Sequence, residues 1–391
     1  MKIVVLGGAG HIGSRIVDEI LRLNPSVELT IVDIDEGKGK QIAREKGVDF
    51  VKANVAVFEE LLEVLKGKEV VVNSVGPFYR FGAVVLKTAL NAGVNYVDIN
   101  DDYDSTLEAL ALDKMAKEKG STAVIGMGAT PGVTNVLASI GAEKMEEIEE
   151  IGTYWVWTAM DPTMGRAIIE HFFHAITGNV KVFKDGNWID EKALSEAEAF
   201  EFPEPIGTWE VAIVGHPEPI TIPRYIKARK VFNKGGVWPS ELNEIAKVFA
   251  QLGLTSEKTL NLRGEQFKAI EIAVEVTMSL GQLISAEELQ STLARVYERL
   301  GDYTLMGMGL GVRIKGKKDD KSYAIKYGIA FKDAAQATAL PCAVCALELL
   351  DKELPNGVFP PEAKVIDLGR VISEVKKISK IDCTEIKNYS L

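Results

Sequence analysis

The sequence predicts an α/β fold: a doubly wound parallel sheet at the N-terminus, followed by an α+β region with a largely antiparallel sheet. Three observations carry this. Apolar and amphipathic runs alternate through the first 145 residues. The apolar runs are near-continuous, the mark of parallel strands covered on both faces. From about Ile148 strand-like runs lie closer together and alternate apolar with polar residues, as antiparallel strands with one covered face do.

The first strand is KIVVL, residues 2–6. Gly8, Gly10 and Gly13 follow as G-x-G-x-x-G, and HIGSRIVDEILRL opens a helix that Asn24 and Pro25 stop. A second strand, 27–32, ends at Asp33, twenty residues past Gly13. Gly8 permits a tight turn, Gly10 lets backbone approach a pyrophosphate, and Gly13 lets helix pack on strand. The helix start offers N–H groups and positive partial charge to phosphates. Such a glycine motif is weak alone, but strand, helix and strand-end acid together mark a dinucleotide site.

Further elements repeat the pattern. A helix near 58–65 ends at Gly67, strand EVVVNSV runs into Gly76 and Pro77, and helix GAVVLKTALNA stops at Gly93. Strand VNYVDI, a helix at 105–119 stopped by Gly120, strand STAVIGM and a helix beginning TPGVTNV follow. About six strands with crossover helices make a Rossmann-type domain. Beyond it, GTYWVWTAM, VKVFKDGNWI with its Asp185-Gly186 turn, WEVAIVG and ITIPRYIKARKVF read as strands. Helices are expected at 241–252 and 287–300, the second with a Ser285/Glu288 capping box. GLGVRIKG and KSYAIKYGIAF flank a charged turn, and a helix then leads into a polar tail.

Composition narrows the function classes. The chain has 391 residues, 47% hydrophobic and 26% charged, with net charge −11. The negative charge and absence of a basic block argue against nucleic-acid or anionic-membrane partners. No membrane span or signal peptide is expected, since apolar runs are short and the first strand starts at once. Three cysteines make no disulfide framework, so a cytoplasmic setting is expected.

The candidate site residues lie mostly at strand ends, where open α/β sheets bind ligands. Gly8, Gly10, His11, Ile12 and Gly13 form the cofactor loop. Asp33 is the ribose ligand, Asp35 a weaker candidate; a carboxylate there repels a 2′-phosphate, so NAD is favoured over NADP. Asn73, Val75, Gly76 and Pro77 are placed against the nicotinamide ribose, and Arg80 against a substrate carboxylate or cofactor phosphate. Asp98, Asn100, Asp101, Asp102 and Asp104 lack the spacing of an EF-hand; no metal is expected, and a pocket for a cationic amine or a cap for the next helix is. Thr130 and Asn135, around Pro131, are candidate substrate contacts at a helix start.

His171 and His174 have a metal-compatible spacing but no evident third ligand. His216 and Glu218 are candidate catalytic bases with Asp102, and Arg224 is a carboxylate clamp. Cys342 and Cys345 form a C-x-x-C in an apolar helical run and read as buried small hydrophobes. No cysteine sits where an acyl-enzyme nucleophile would.

GGAGHIGSRIVDEIL, VVNSVGPFYRFGAVVLKTALNAGVNYVDINDD, MGATPGVTNVLA and ALPCAVCALELLDKELPNGVFPPE together resemble the saccharopine dehydrogenase/lysine 6-dehydrogenase-like oxidoreductases. The match is closest over the first 145 residues and near 336–365, with GHPEPITIPR between. The resemblance implies a nicotinamide cofactor on a Rossmann domain, 1–130 with 336–391, and an inserted substrate and dimerisation domain, 131–335, making a homodimer. It also implies an oxidoreductase acting on a C–N bond of a basic amino acid. Lysine ε-amine oxidation is the first expectation, and saccharopine-type or carboxynorspermidine-type imine reduction the second. Two readings of other kinds stay open: a non-catalytic NAD-binding redox sensor, and a lipid enoyl reductase, which would need an apolar channel rather than charged loops.

Overall fold

A computed structural model describes residues 2–161, 163–280 and 285–387. The chain divides into two compact units. The first comprises Met1–Ile140, Ile220–Ile226 and Ala335–Ile378; the second comprises Gly141–Pro219, Lys227–Ala334 and Ser379–Leu391.

The first unit is built on a seven-stranded parallel sheet. Its strands are β1 (Lys2–Leu6), β2 (Glu28–Asp33), β3 (Asp49–Lys52), β4 (Val70–Asn73), β5 (Asn95–Asp98), β6 (Thr122–Val124) and, at one edge, Gly357–Phe359. The order runs from Gly357–Phe359 through β6, β5, β4, β1 and β2 to β3. The chain builds outward from β1 to β3, then restarts at β4 on the other side of β1. Two crossovers of opposite sense leave a crevice where they part, at the carboxyl ends of β1 and β4. Ile3, Val5, Ile31, Val71, Tyr96 and Val97 are fully buried between helical layers.

The edge strand Gly357–Phe359 is too short to stand out in the sequence. The stretch expected as one helix, 105–119, is two, Tyr103–Ala111 and Asp113–Lys119, broken at Leu112. Helix Ala334–Asp351 is buried along nearly its whole length, Cys342 and Cys345 included. An all-round apolar helix is what a core position requires. It is also the one helix among the described residues long and apolar enough to cross a membrane by length and composition; the expectation that no run approaches that length is corrected here. Burial pushes both thiols well above their ordinary pKa.

The second unit holds a mixed sheet of nine strands. These are β7 (Glu147–Thr158), β8 (Asn179–Lys184), β9 (Asn187–Lys192), β10 (Glu198–Glu201), β11 (Thr208–Ile213), β12 (Lys230–Trp238), then Met308–Lys318, Lys321–Phe331 and Ser379–Lys387. β7 and β12 are parallel and the remaining pairs antiparallel. The 185–186 turn closes β8 on β9, with both residues at positive φ (49° and 84°).

Three expectations need correction. Segment 220–225 is helical, within Glu218–Tyr225, although Ile220, Thr221 and Ile222 are β-branched; burial of these side chains overrides their strand preference. Helix Ala269–Met278 went unpredicted. The polar tail forms an edge strand on Lys321–Phe331, so 379–387 belongs to the second unit and not to the Rossmann domain. Its exposed, charged composition suits an edge strand and hides it from hydrophobic patterning.

Candidate functional site

In the first unit, the loop after β1 is fastened to the end of β2. Gly7 and Gly8 donate to the Val32 carbonyl at 2.8 and 3.2 Å. Ala9 N–H donates to Asp33 Oδ2 at 3.1 Å, and Asp35 N–H to Asp33 Oδ1 at 3.1 Å. Each carboxylate oxygen keeps acceptor capacity for a ribose hydroxyl. Helix His11–Leu23 starts at Gly10 with no side-chain cap and no acid in its first turn, which suits an anion. His11 and Ile12 are half-buried at this start.

The glycines are needed for space. A Cβ on Gly13 would lie 2.1 Å from the Gly7 carbonyl oxygen, and one on Gly8 2.6 Å from Ile31 Cβ. The loop fits a dinucleotide in the chemistry of its ends: an uncapped helix start offers N–H groups to phosphates, and Asp33 offers acceptors to a ribose. Bound there, it would be held by 8–13 and Asp33.

The adjoining strand end is a buried polar chain. Asn73 Oδ1 accepts from Val75 N–H at 3.0 Å, and its Nδ2 donates to Tyr96 Oη at 3.0 Å. Tyr96 donates to Asp98 Oδ2 at 2.8 Å. Asp98 Oδ1 accepts from Gly126 N–H at 2.7 Å and Asn100 N–H at 3.1 Å. Asn73 thus shapes the turn that carries Val75, Gly76 and Pro77, its own amide turned into the sheet edge. Asp98 is 1% exposed, and these three protein donors, not an open pocket, surround its carboxylate. Burial raises its pKa to about 6 despite those donors. Asp102 Oδ2 accepts from Tyr79 N–H at 2.9 Å, holding the start of helix Phe78–Asn91. Arg80 is exposed, its guanidinium 5.3 Å from the Tyr79 ring.

Asn135 ties three chain segments together. Its Oδ1 accepts from Gly132 N–H at 3.0 Å, and its Nδ2 donates to Glu362 Oε2 at 2.9 Å and Thr221 Oγ1 at 3.4 Å. Thr130 is half-buried in the same turn. Arg224 is exposed, its Nε donating to the Ile220 carbonyl at 3.2 Å.

In the second unit, His216 and Glu218 meet. His216 Nδ1 lies 2.7 Å from Glu218 Oε2, and the two side chains are 2% and 0% exposed. Asn233 Nδ2 donates to Glu218 Oε1 at 3.2 Å and to Thr153 Oγ1 at 2.9 Å. Trp155 Nε1 donates to Asn233 Oδ1 at 2.9 Å. The His171 ring sits edge-on to His216 at 5.8 Å; His174 lies one turn along the same helix, Arg166–Ala175. An imidazole oriented by a carboxylate can take up or deliver a proton.

Sequence reasoning missed Tyr96, Asn233, Thr153, Trp155, Thr221 and Glu362. One signal was available: Asn233 interrupts the apolar run of β12, and a polar residue inside a buried strand needs partners.

Two outcomes follow. Gly13→Ala forces the 7–13 backbone apart, a strain costing about 1–3 kcal/mol; NAD(P)H affinity, read by nicotinamide fluorescence titration, falls roughly tenfold or more. An unchanged affinity would show that the loop does not hold the dinucleotide. For Asp98, folding raises the pKa from 3.8 to about 6, a difference worth on the order of 3 kcal/mol. Its favourable contribution is present below pH 3.8 and is lost as pH rises through about 6. Urea unfolding at stepped pH therefore shows Asp98→Asn gaining stability relative to the parent across that window, on top of a constant offset. A flat difference rules this out.

Comparison with known proteins places these features. The family model described as saccharopine dehydrogenase NADP binding domain matches residues 3–124, and that described as saccharopine dehydrogenase C-terminal domain matches 128–379. The chain is 23% identical over 378 residues to the carboxynorspermidine synthase of Vibrio alginolyticus, covering 90% of this chain and 84% of that one. It is 22% identical over 363 residues to the carboxynorspermidine synthase of Vibrio cholerae, covering 85% and 82%. In fold it is similar to apo saccharopine dehydrogenase (L-Glu forming) from Saccharomyces cerevisiae, with a TM-score of 0.67 at 14% identity over 98% of this chain and 99% of that one. With a dinucleotide-type loop in the first unit and family models spanning both units, this chain belongs to the saccharopine dehydrogenase family of NAD(P)-binding oxidoreductases.

Proposed function

We propose that this protein makes or breaks a C–N bond of a basic amino acid or a related polyamine, passing hydride between the substrate carbon and a nicotinamide. The observation that carries this reading is the buried His216–Glu218 pair. Amine oxidation and imine reduction both need a group that exchanges one proton with nitrogen, because an ammonium does not release hydride from its carbon. The bound dinucleotide supplies or accepts the hydride. In oxidation His216 takes the ammonium proton before hydride leaves the adjacent carbon, and the iminium is then hydrolysed. In reduction the same imidazole, protonated, delivers that proton as the iminium carbon is reduced. Glu218 orients the ring through the 2.7 Å contact at Nδ1.

The relatives named carboxynorspermidine synthase favour the reductive direction, a carboxynorspermidine-type condensation of amine and aldehyde. Lysine ε-amine oxidation is the second reading, supported by the motif resemblance. For the cofactor, we favour NAD: Asp33 and Asp35 border the ribose position, and the nearby Lys40 and Lys52 are both paired with Glu36. The matched domain's name points the other way, to NADP, so the choice rests on the test. We also propose a homodimer as the working form, to be measured by sedimentation.

The protein incubated with each nicotinamide cofactor and a panel of lysine, ornithine, saccharopine and norspermidine derivatives should change the reduced-nicotinamide absorbance with at least one amine or imine. His216→Asn should lower turnover by roughly 10²–10⁴-fold with cofactor affinity retained. Asp33→Ala should weaken NAD much more than NADP. Silence across the panel would sink the enzyme reading, and equal loss of the two cofactors would remove Asp33 from ribose recognition.

A further inference from the structure

We propose that Trp155, Asn233 and Glu218 form a directional hydrogen-bond relay that keeps the proton of neutral His216 on Nδ1 and leaves Nε2 as its basic nitrogen. This rests on, and deepens, the reading of His216 as the proton-exchanging group.

The direction follows from one end of the chain. An indole Nε1 is a donor only. Trp155 Nε1, 2.9 Å from the Asn233 side chain, must therefore face the amide oxygen. That fixes an amide orientation which distance alone leaves ambiguous. With Oδ1 taken by the indole, the Asn233 NH₂ faces Glu218 Oε1 at 3.2 Å and Thr153 Oγ1 at 2.9 Å. Thr153 passes its own proton to the Phe232 carbonyl at 3.3 Å, so it accepts from Asn233 and does not compete. Glu218 Oε1 is thereby an acceptor. With Glu218 ionised, a carboxylate being acceptor-only, its Oε2, 2.7 Å from His216 Nδ1, accepts as well, and the ring proton lies on Nδ1.

The surroundings hold this arrangement. Asn233 and Thr153 are directly opposite each other in the parallel β12/β7 ladder, and Gly235 is opposite Trp155. A Cβ on Gly235 would fall 2.1 Å from the indole; its absence lets the ring lie across the strand and reach Asn233. Trp155, Asn233, Glu218 and His216 are 4%, 0%, 0% and 2% exposed, so water does not compete for the bonds and a reversed amide would leave donors facing donors. Asn233, Trp155 and Glu218 are positioning residues here; His216 is the group they position.

The test is a tautomer measurement on the full chain labelled with ¹⁵N, using long-range ¹H–¹⁵N imidazole spectra at a pH where the ring is neutral. His216 is assigned by its loss in His216→Asn. The parent should show the Nδ1–H form. In Glu218→Gln, Asn233 still donates to the amide oxygen, so the glutamine NH₂ faces Nδ1 and the proton moves to Nε2. kcat then falls by roughly a hundredfold or more with KM little changed. Trp155→Phe, a milder change in packing, frees the Asn233 amide to reverse and should give a mixture of tautomers. The Nε2–H form in the parent, or unchanged Nδ1–H in both variants, overturns the relay. Tautomers as expected together with full turnover in His216→Asn would uphold the relay and remove instead the acid–base role assigned to His216.

Discussion

Asp98 is buried at the carboxyl end of β5, and the loops along that edge of the parallel sheet depend on what its two oxygens accept. A carboxylate taken out of water must be matched by donors or lose its charge. Here the donors come from three places: the Tyr96 hydroxyl, the backbone at Asn100 and the backbone at Gly126. Through Tyr96 the constraint reaches Asn73 and the turn at Val75. The ends of β4, β5 and β6 therefore share one hydrogen-bonded set. The strand-end groups inherit their positions from it, and burial raises the pKa of Asp98 while these donors pull it down.

The second unit solves a related problem with a different result. Its mixed sheet buries a histidine, a glutamate and an asparagine within an apolar core. Where Asp98 takes two backbone donors and one hydroxyl, Glu218 is held between side chains, with an imidazole at one oxygen and an amide at the other. The two buried carboxylates thus differ in their partners: one holds strand-end loops, the other joins an imidazole to an amide.

Backbone proximity supplies the remaining constraint. Gly13 against Gly7 in the first unit and Gly235 beneath Trp155 in the second both occupy places where a Cβ would collide. The first brings the helix start against the loop after β1; the second brings an indole N–H to an amide buried in a strand. Neither is a flexible hinge, and both are steric permissions.

Much of the fold was legible in the chain, because local physics decides it. Glycines at fixed offsets, near-continuous apolar strands and an acid at the end of β2 mark the parallel sheet and its cofactor loop, and these depend on residues close in sequence. Hairpin turns at 185–186 and 319–320 and the Ser285/Glu288 cap were readable for the same reason. Segment 220–225, helix Ala269–Met278 and the last strand were not, since their conformation follows from burial and pairing with distant segments. The site divides likewise. His216 and Glu218 are two residues apart and were visible together, whereas Thr153, Trp155 and Asn233 come from strands some 80 positions apart. Hydrogen-bond direction, and with it which nitrogen of His216 carries the proton, is a property of partners brought together by the sheet register. Sequence determined the fold class, the dinucleotide-type loop and the adjacency of His216 and Glu218; only tertiary structure decided which partners each buried acid meets, because donors and acceptors are matched in space and not along the chain.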